Sequence, residues 1–467
     1  MKNAIIFICL LVFLIAGCTL APKYTRPDAP IPKKWPEGDA YKEIKTQTGE
    51  SPAALKWQDF IVGKKLQKII EMAFENNRDL RLAALNVEQA RAYYNIQRAE
   101  LLPALDVAAA GTRQRVPYDL SSRKITGVAE QYSVNLGLLS WEIDFFGRIR
   151  SLKDRALEQY LATKEAHRSA KITLIATCAS AYLTYAADKE NLSNANATLK
   201  AQQETYDLIK KRFEAGLASE LDLYRAQTQV DAAKQEVSKY IQLVAQDENA
   251  LNLITGGVVP KELLPQGLKD VTPPKDISPG LSSEILLSRP DIMASEHNLK
   301  AVNAMIGAAR AAFFPRISLT TTIGTASSEL SRLFRSGQET WNFSPQITMP
   351  VFDTRVWAAY EATKVEREYA LAQYEKTIQT AFKEVADTLA VKGTIDEQLS
   401  AQNSLVEALD KTYNLATIRY TKGVDSYLSV LDAQRSLINA QKLLVALKLA
   451  KLTNHVRLYA VLGGSAD

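Results

Sequence analysis

Little in these 467 residues is suited to chemistry. Only three histidines occur, His167, His297 and His455, far apart and without metal-ligand spacing. No glycine-rich phosphate loop and no G-x-S-x-G elbow is present, which argues against an enzyme. No cofactor and no metal is expected. The three cysteines are Cys9, Cys18 and Cys178, too few for a disulfide framework. Cys178, between Thr177 and Ala179, reads as a small packed residue. A net charge of +5 from 57 basic and 52 acidic residues is slight, and no basic block interleaves with aromatics, so nucleic acid is not an expected partner. After residue 18 no apolar run approaches the ~18 residues a membrane helix needs, so any bilayer crossing falls to strands. Proline is missing between Pro117 and Pro260 and after Pro350, and Gly216 is the only glycine between Gly147 and Gly256. Stretches so free of breakers read as very long helices.

What is present begins with a leader. Lys2 precedes an apolar run from Ala4 to Ala16, the proportions of a signal peptide over residues 1–17. It ends in Leu14-Ile15-Ala16-Gly17-Cys18, which resembles the bacterial lipobox. That resemblance implies cleavage before Cys18 and acylation of its sulfur and new amino terminus. Thr19, in place of the aspartate that retains lipoproteins at the inner membrane, points to outer-membrane sorting. Residues 18–55, with Pro22, Pro27, Pro30, Pro32, Pro36 and Pro52, read as an extended lipidated tether.

The body is a direct duplication. Asp79–Leu105 aligns without a gap on Asp291–Ile317, placing Asn86 on Asn298 and Pro103 on Pro315. Thr205–Val230 aligns on Thr412–Leu437, placing Gly216 on Gly423, Leu221 on Leu428 and Ala226-Gln227 on Ala433-Gln434. The first repeat covers 56–255, with a β-hairpin at about 104–141 and a helical hairpin at about 147–255. A linker over 256–289 leads to the second repeat, 290–467, with a β-hairpin at about 316–351 and a helical hairpin at about 354–462. Gly147 to Gly216 reaches roughly 100 Å as helix, and the return from about Ser219 to Thr255 covers about half of that. The helix expected at about 79–102 supplies the rest, so two short helices stacked end to end flank one long one. Leu431, Ile438, Val445, Leu452 and Tyr459, seven apart, predict a coiled-coil seam.

Strand sidedness carries the membrane argument. Arg316–Ile323 alternates polar and apolar residues, and its partner sets Trp341, Phe343, Ile347, Met349 and Val351 against Asn342, Ser344, Gln346 and Thr348. The first hairpin alternates less cleanly. Phe313, Phe314, Trp141, Phe145 and Phe146 gather near strand ends, as in the aromatic girdles of membrane barrels. Two hairpins give four strands, whereas the smallest membrane barrels have about eight, and an open edge has no water to satisfy it in lipid. Several chains must share one barrel.

These features, with Leu286-Leu287-Ser288-Arg289-Pro290-Asp291-Ile292, Ser140-Trp141-Glu142-Ile143-Asp144-Phe145-Phe146-Gly147-Arg148 and the closing Leu458-Tyr459-Ala460-Val461-Leu462-Gly463-Gly464, resemble the TolC-type outer-membrane efflux proteins, in their OprM-like (NodT-family) lipoprotein branch. The resemblance implies a mainly α protein with a small β part. It implies a homotrimer sharing a twelve-stranded β-barrel over a long α-helical barrel, with 256–289 in an equatorial belt. Its implied role is a passive outer-membrane duct of a tripartite pump for drugs or other toxic small molecules, with a periplasmic adaptor and an inner-membrane transporter as partners. The two helical-hairpin turns, about Arg212–Asp222 and Arg419–Asp432, match the periplasmic gate of that family. Leu428 matches its apolar plug and Asp432 its carboxylate ring; Tyr420 and Asp222 match a latch between hairpins. Where some members carry latch arginines this chain has Thr421 or Asp425, leaving Arg419, Lys422 and Arg435 as the nearby cations. The rival reading is a periplasmic adaptor lipoprotein, for which a single hairpin between β-rich domains is expected.

Overall fold

The computed structural model describes residues 19–41, 55–122, 124–277 and 282–465. The leader and Cys18 lie outside them. Helix α1 (Lys64–Asn76) and α2 (Arg78–Ala99) precede strands β1 (Leu105–Val116) and β2 (Gly127–Ile143). The long α3 (Arg148–Glu214) returns as α4 (Glu220–Thr255). The second repeat runs α5 (Pro290–Ala311), β3 (Arg316–Ser327), β4 (Glu339–Thr348), α6 (Thr354–Thr421) and α7 (Tyr427–Val461). The fold is thus mainly helical with one small sheet, and no described helix is long and apolar enough to cross a membrane. Two compact units form, and each draws on both repeats: residues up to 28, 86–163 and 294–374 in one, 29–85, 164–293 and 375–467 in the other.

The first unit holds a four-stranded antiparallel sheet in the order β1-β2-β3-β4, so the two repeats join at β2–β3 and the sheet has β1 and β4 as its edges. Its register sorts the side chains by face. Leu105, Val107 and Ala109 of β1 lie opposite Leu138, Leu136 and Val134 of β2. Leu136 in turn lies opposite Ile323, which lies opposite Trp341. Ile317 is flanked by Ile143 and Ile347, completing an apolar face across all four strands. The alternate face carries Asn135, Ser133, Thr322, Thr320, Asn342, Ser344 and Gln346. A bulge between Leu138 and Trp141 explains the irregular pattern of the first hairpin. Ser140 adopts φ 58° there, and its N–H donates to Thr320 Oγ1 at 3.2 Å. The extra residue shifts the parity, so that even-numbered residues before it and Trp141 and Ile143 after it share the apolar face.

Ion pairs staple the strand ends to the helices that follow. Arg148 grips Glu142 with two bonds of 2.8 and 2.9 Å, and Arg150 bonds Asp144 at 3.2 Å. Arg316 also pairs with Glu142. Phe146 stacks on Phe314 and Phe313 meets Trp357 edge-on at these strand ends.

Residues 19–41 of the proline-rich segment form a strap held at several points against the helices. It donates little, so its carbonyls accept from helix side chains. In the first unit Arg310 donates to the Leu20 carbonyl at 3.2 Å and Asn303 to the Pro22 carbonyl at 2.8 Å. Glu296, with a side chain only 5% exposed, takes Arg26 and Lys300 as ion partners and the Tyr24 hydroxyl at 3.2 Å. Positions 296, 303 and 310 are seven apart, so the strap runs antiparallel along one face of α5. In the second unit Ser283 Oγ donates to the Pro32 carbonyl at 2.5 Å, and Trp35 stacks on Phe382 at 5.4 Å.

The second unit also contains both end-to-end helix junctions. Where α4 ends at Gly256 against Asn76, Asn77 donates to the Ile254 carbonyl at 2.9 Å while its Oδ1 caps α2 through the Leu80 N–H at 2.8 Å. Where α7 ends at Gly463 against Arg289, Arg289 donates to the Val461 carbonyl at 2.7 Å, immediately before α5. Asn77 and Arg289, Ile254 and Val461, and Gly256 and Gly463 are equivalent pairs of the duplication. The α7 seam is wider than a heptad pair: Val430, Ala433, Leu437 and Ala440 are buried, as are Val445 and Tyr459, while Leu431, Ile438 and Leu452 are half-buried.

Candidate gate at the helical hairpin tips

Both hairpin turns use the same device. Gly216 and Gly423 take φ 76° and 72°, the left-handed conformation that only glycine adopts freely. Leu217 N–H then closes on the Arg212 carbonyl at 2.8 Å, and Val424 N–H on the Arg419 carbonyl at 3.0 Å, a Schellman stop in each repeat. Ser219 starts α4 by accepting the Asp222 N–H at 3.1 Å and donating its hydroxyl to Asp222 Oδ2 at 2.8 Å. Ser426, the equivalent residue, makes no side-chain cap.

The tips of the two hairpins share a small core of Ile209, Ala226, Tyr427 and Val430, bordered by Tyr206, Leu223, Tyr413 and Tyr420. Tyr427 is its largest member, and its buried hydroxyl has no partner. Burial, with smaller contributions from Tyr420, Tyr413 and Asp222, pushes its pKa up to about 12, so it stays neutral. The Tyr420 ring lies 5.2 Å from that of Tyr427, and the Arg212 guanidinium sits 5.2 Å over Tyr420. Burial raises the Tyr420 pKa, Arg212 opposes that, and Asp222 adds to it. The Asp222 charge therefore acts on Tyr420, but the hydrogen bonds of the Asp222 carboxylate among the described residues are with Ser219. Arg419 forks onto Asp425 at 2.6 and 3.0 Å. Leu428, Asp432 and Arg435, spaced four and three apart, share the exposed face of α7, turned away from Tyr427 and Val430. The duplication places Leu221 at the position of Leu428 and Arg225 at that of Asp432.

Sequence reasoning missed Tyr427, Ile209 and Arg212. The one available signal was that Tyr427 falls on Glu220 in the repeat alignment, an apolar body where its copy carries charge.

Higher on the first hairpin, Asp247 of α4 is hydrogen-bonded to Asp188 of α3. Burial first, then the Asp188 charge and the bond to it, push the Asp247 carboxyl from 3.8 to about 7. Through that window the unfolded chain releases a proton that the fold retains, so this pair costs stability as pH rises from about 4 to 7, and the cost is complete above. Asp247→Asn keeps a donor and removes the charge. It is expected to raise the Tm at pH 8 and to change it much less at pH 4.5; a shift equal at both pH values contradicts this assignment.

The sequence profile described as "Outer membrane efflux protein" matches residues 69–257 and 281–464, one match per repeat. The chain belongs to this family. A relative, the toluene efflux pump outer membrane protein TtgC of Pseudomonas putida, is 45% identical over 466 residues, covering 99% of this chain and 96% of that protein. Among solved structures, a membrane protein from Pseudomonas aeruginosa is 41% identical with a TM-score of 0.88, covering 96% of this chain and 98% of the other. The open state of the Neisseria gonorrhoeae MtrE outer membrane channel is 35% identical with a TM-score of 0.84, again over 96% and 98%. Matches spanning both repeats favour the channel over the adaptor reading. As an outer membrane efflux protein the chain carries one β-hairpin and one helical hairpin in each repeat, and the unmatched 258–280 falls within the predicted linker over 256–289.

Proposed function

We propose that this outer-membrane efflux protein works as a homotrimer, each copy lending four strands to one twelve-stranded barrel that conducts drugs, solvents or other toxic small molecules outward. The observation that carries this is the sidedness of the sheet. Leu105, Val107, Ile323, Trp341, Phe343 and Ile347 are all exposed on one face of a single chain, and both outer strands offer unpaired backbone. Strands of 10 to 17 residues suit a tilted bilayer crossing, and only closure satisfies their edges in lipid. Neighbouring copies pairing β1 with β4 supply that closure. The helical hairpins then line the periplasmic passage, fed by an adaptor and an energised inner-membrane transporter.

Acylated Cys18 anchors each copy. The bond from Arg310 to the Leu20 carbonyl supports this, since it holds the strap at the last turn of α5, just before β3 enters the sheet. Cys18→Ala is expected to abolish labelling by a radioactive fatty acid; a labelled variant removes the anchor from the account.

At the tips, Leu428 and Asp432 are assigned as the apolar plug and the carboxylate ring, because both project from the face of α7 that the chain's own core leaves free. Arg419, Arg435, Tyr420 and Asp222 are assigned to the contacts that hold neighbouring hairpins shut. Like charges gathered by symmetry repel, attract cations and deter anions. In planar bilayers the purified protein is expected to show cation-selective trimeric channels of low conductance, with Asp432→Ala raising conductance and reducing that selectivity. A protein that stays monomeric and non-conducting sinks the duct reading. Conductance and selectivity unchanged in Asp432→Ala remove only the gate role.

A further inference from the structure

A shared barrel sets β1 of one copy beside β4 of the next, and the two edge strands determine how they meet. β1 has 12 residues and β4 has 10. On both, the odd-numbered residues share the apolar face of the sheet. A slip of one residue turns every side chain to the wrong face, so odd residues must oppose odd ones across the seam. Only one such register gives every residue of β4 a partner within β1. It sets Thr348 opposite Asp106 and Glu339 opposite Arg115. It also sets Val107 opposite Ile347, Gly111 opposite Phe343 and Arg113 opposite Trp341. Apolar thus meets apolar, an aromatic ring covers the bare glycine, and a cation meets an indole.

The geometry of closure agrees with this register. Followed straight across one chain, Leu105 is level with Leu138, Thr321 and Phe343. Across the seam Phe343 meets Gly111 instead, a stagger of six residues per copy. Three such steps around twelve strands tilt them by about 45°, the inclination usual for membrane strands. The charges agree as well. Arg113 already has Glu130 at 2.9 Å within its own chain. Arg115 and Glu339 are both exposed, and neither has an ion partner among the described residues. A slip by two either sets Glu339 against Arg113 or carries it past the end of β1 to Pro117. Resting on the shared-barrel reading, we infer that Glu339 of each copy pairs with Arg115 of the next, and that this ion pair holds the register of the seam.

The test is charge reversal of the full-length protein, read as the temperature at which its oligomer dissociates on gels of outer membranes. Arg115→Glu opposes two carboxylates at every seam and Glu339→Arg opposes two cations, so each is expected to lower that temperature by several degrees. Arg115→Glu/Glu339→Arg is expected to restore it, an outcome that variants unable to fold cannot give. Oxidative cross-linking reads the register directly. Ala326 N–H donates to the Gln338 carbonyl at 3.0 Å, so even-numbered residues of β4 bond to β3. At the seam Asn342 and Thr112 therefore form a non-hydrogen-bonded pair, where side chains come closest. Thr112→Cys/Asn342→Cys is expected to give covalent trimers, and either single variant none. Cross-linking of Ala110→Cys/Asn342→Cys in its place, or a double reversal no better than the single ones, overturns the pairing and leaves the trimer standing. A wild-type protein without any oligomer overturns the shared barrel and the pairing with it.

Discussion

Arg289→Ala is expected to destabilise the protein by about 1–3 kcal/mol, because it leaves the Val461 carbonyl without its donor and takes the cation from Asp291 and Glu384. Arg289 is 8% exposed. It holds Asp291 with two bonds of 3.0 and 2.7 Å, Glu384 of α6 at 3.0 Å, and the final carbonyls of α7 through Val461. Four bonds from three separate points of the chain converge on one planar cation, and its fork geometry is what lets them. Arg289→Lys keeps the charge but not the fork, and is expected to recover only part of the loss. Lys411→Ala removes an exposed pair with Glu407 on α6 and serves as the control, with no measurable change in stability. Thermal unfolding of the three variants decides this. A loss in Arg289→Ala no larger than in Lys411→Ala contradicts the junction's importance.

The second large effect is expected where the two repeats meet in the sheet. A Cβ on Gly324 would lie 2.1 Å from the Val134 carbonyl, and one on Gly137 would lie 2.1 Å from the Thr321 carbonyl. Both obstacles are backbone, so no rotamer change relieves them. Gly324→Val is therefore expected to cost about 3 kcal/mol or more, the high end for overpacking, and to break the β2–β3 ladder. Outer membranes from cells carrying Gly324→Val are expected to lack the heat-resistant oligomer on gels. Gly127→Ala, with open space around the new methyl, is expected to assemble normally. A Gly324→Val protein that assembles as the wild type does contradicts this close approach of β2 and β3.

Much of this architecture was legible because it depends on local rules. Proline-free stretches became α3 and α6, and the glycines at 216 and 423 became helix stops, since only the chain itself is needed to enforce these. Alternation in β3 and β4 marked the apolar face because the pleat has a period of two. What stayed hidden depends on partners distant in sequence. The parity change in β2 needs the position of Thr320, 180 residues away, to become visible. Glu296 reads as one more helix carboxylate until Tyr24 and Arg26 arrive from 270 residues upstream. Arg289 was legible as part of a motif, but not the carbonyl at Val461 that the arginine reaches. At the hairpin tips, the turn glycines were readable through the duplication, whereas Leu428 and Asp432 enter as gate residues only through the resemblance and the proposal built on it. Tyr427 was not legible, because its burial is a property of two hairpins side by side.

The junction of β2 and β3 has one more consequence. In an even ladder, β3 slipped by two residues along β2 presents the same faces and costs only a few terminal bonds. Gly137 and Gly324 remove that equivalence: Gly324 lies against the Val134 carbonyl where a Cβ has no room, and a slip by two puts Thr322 or Ala326 in its place. This close approach beside the bulge thus acts as a detent, fixing the offset between the two halves of each chain. A wall assembled from several such chains inherits the same offset at every seam without any neighbour having to measure it.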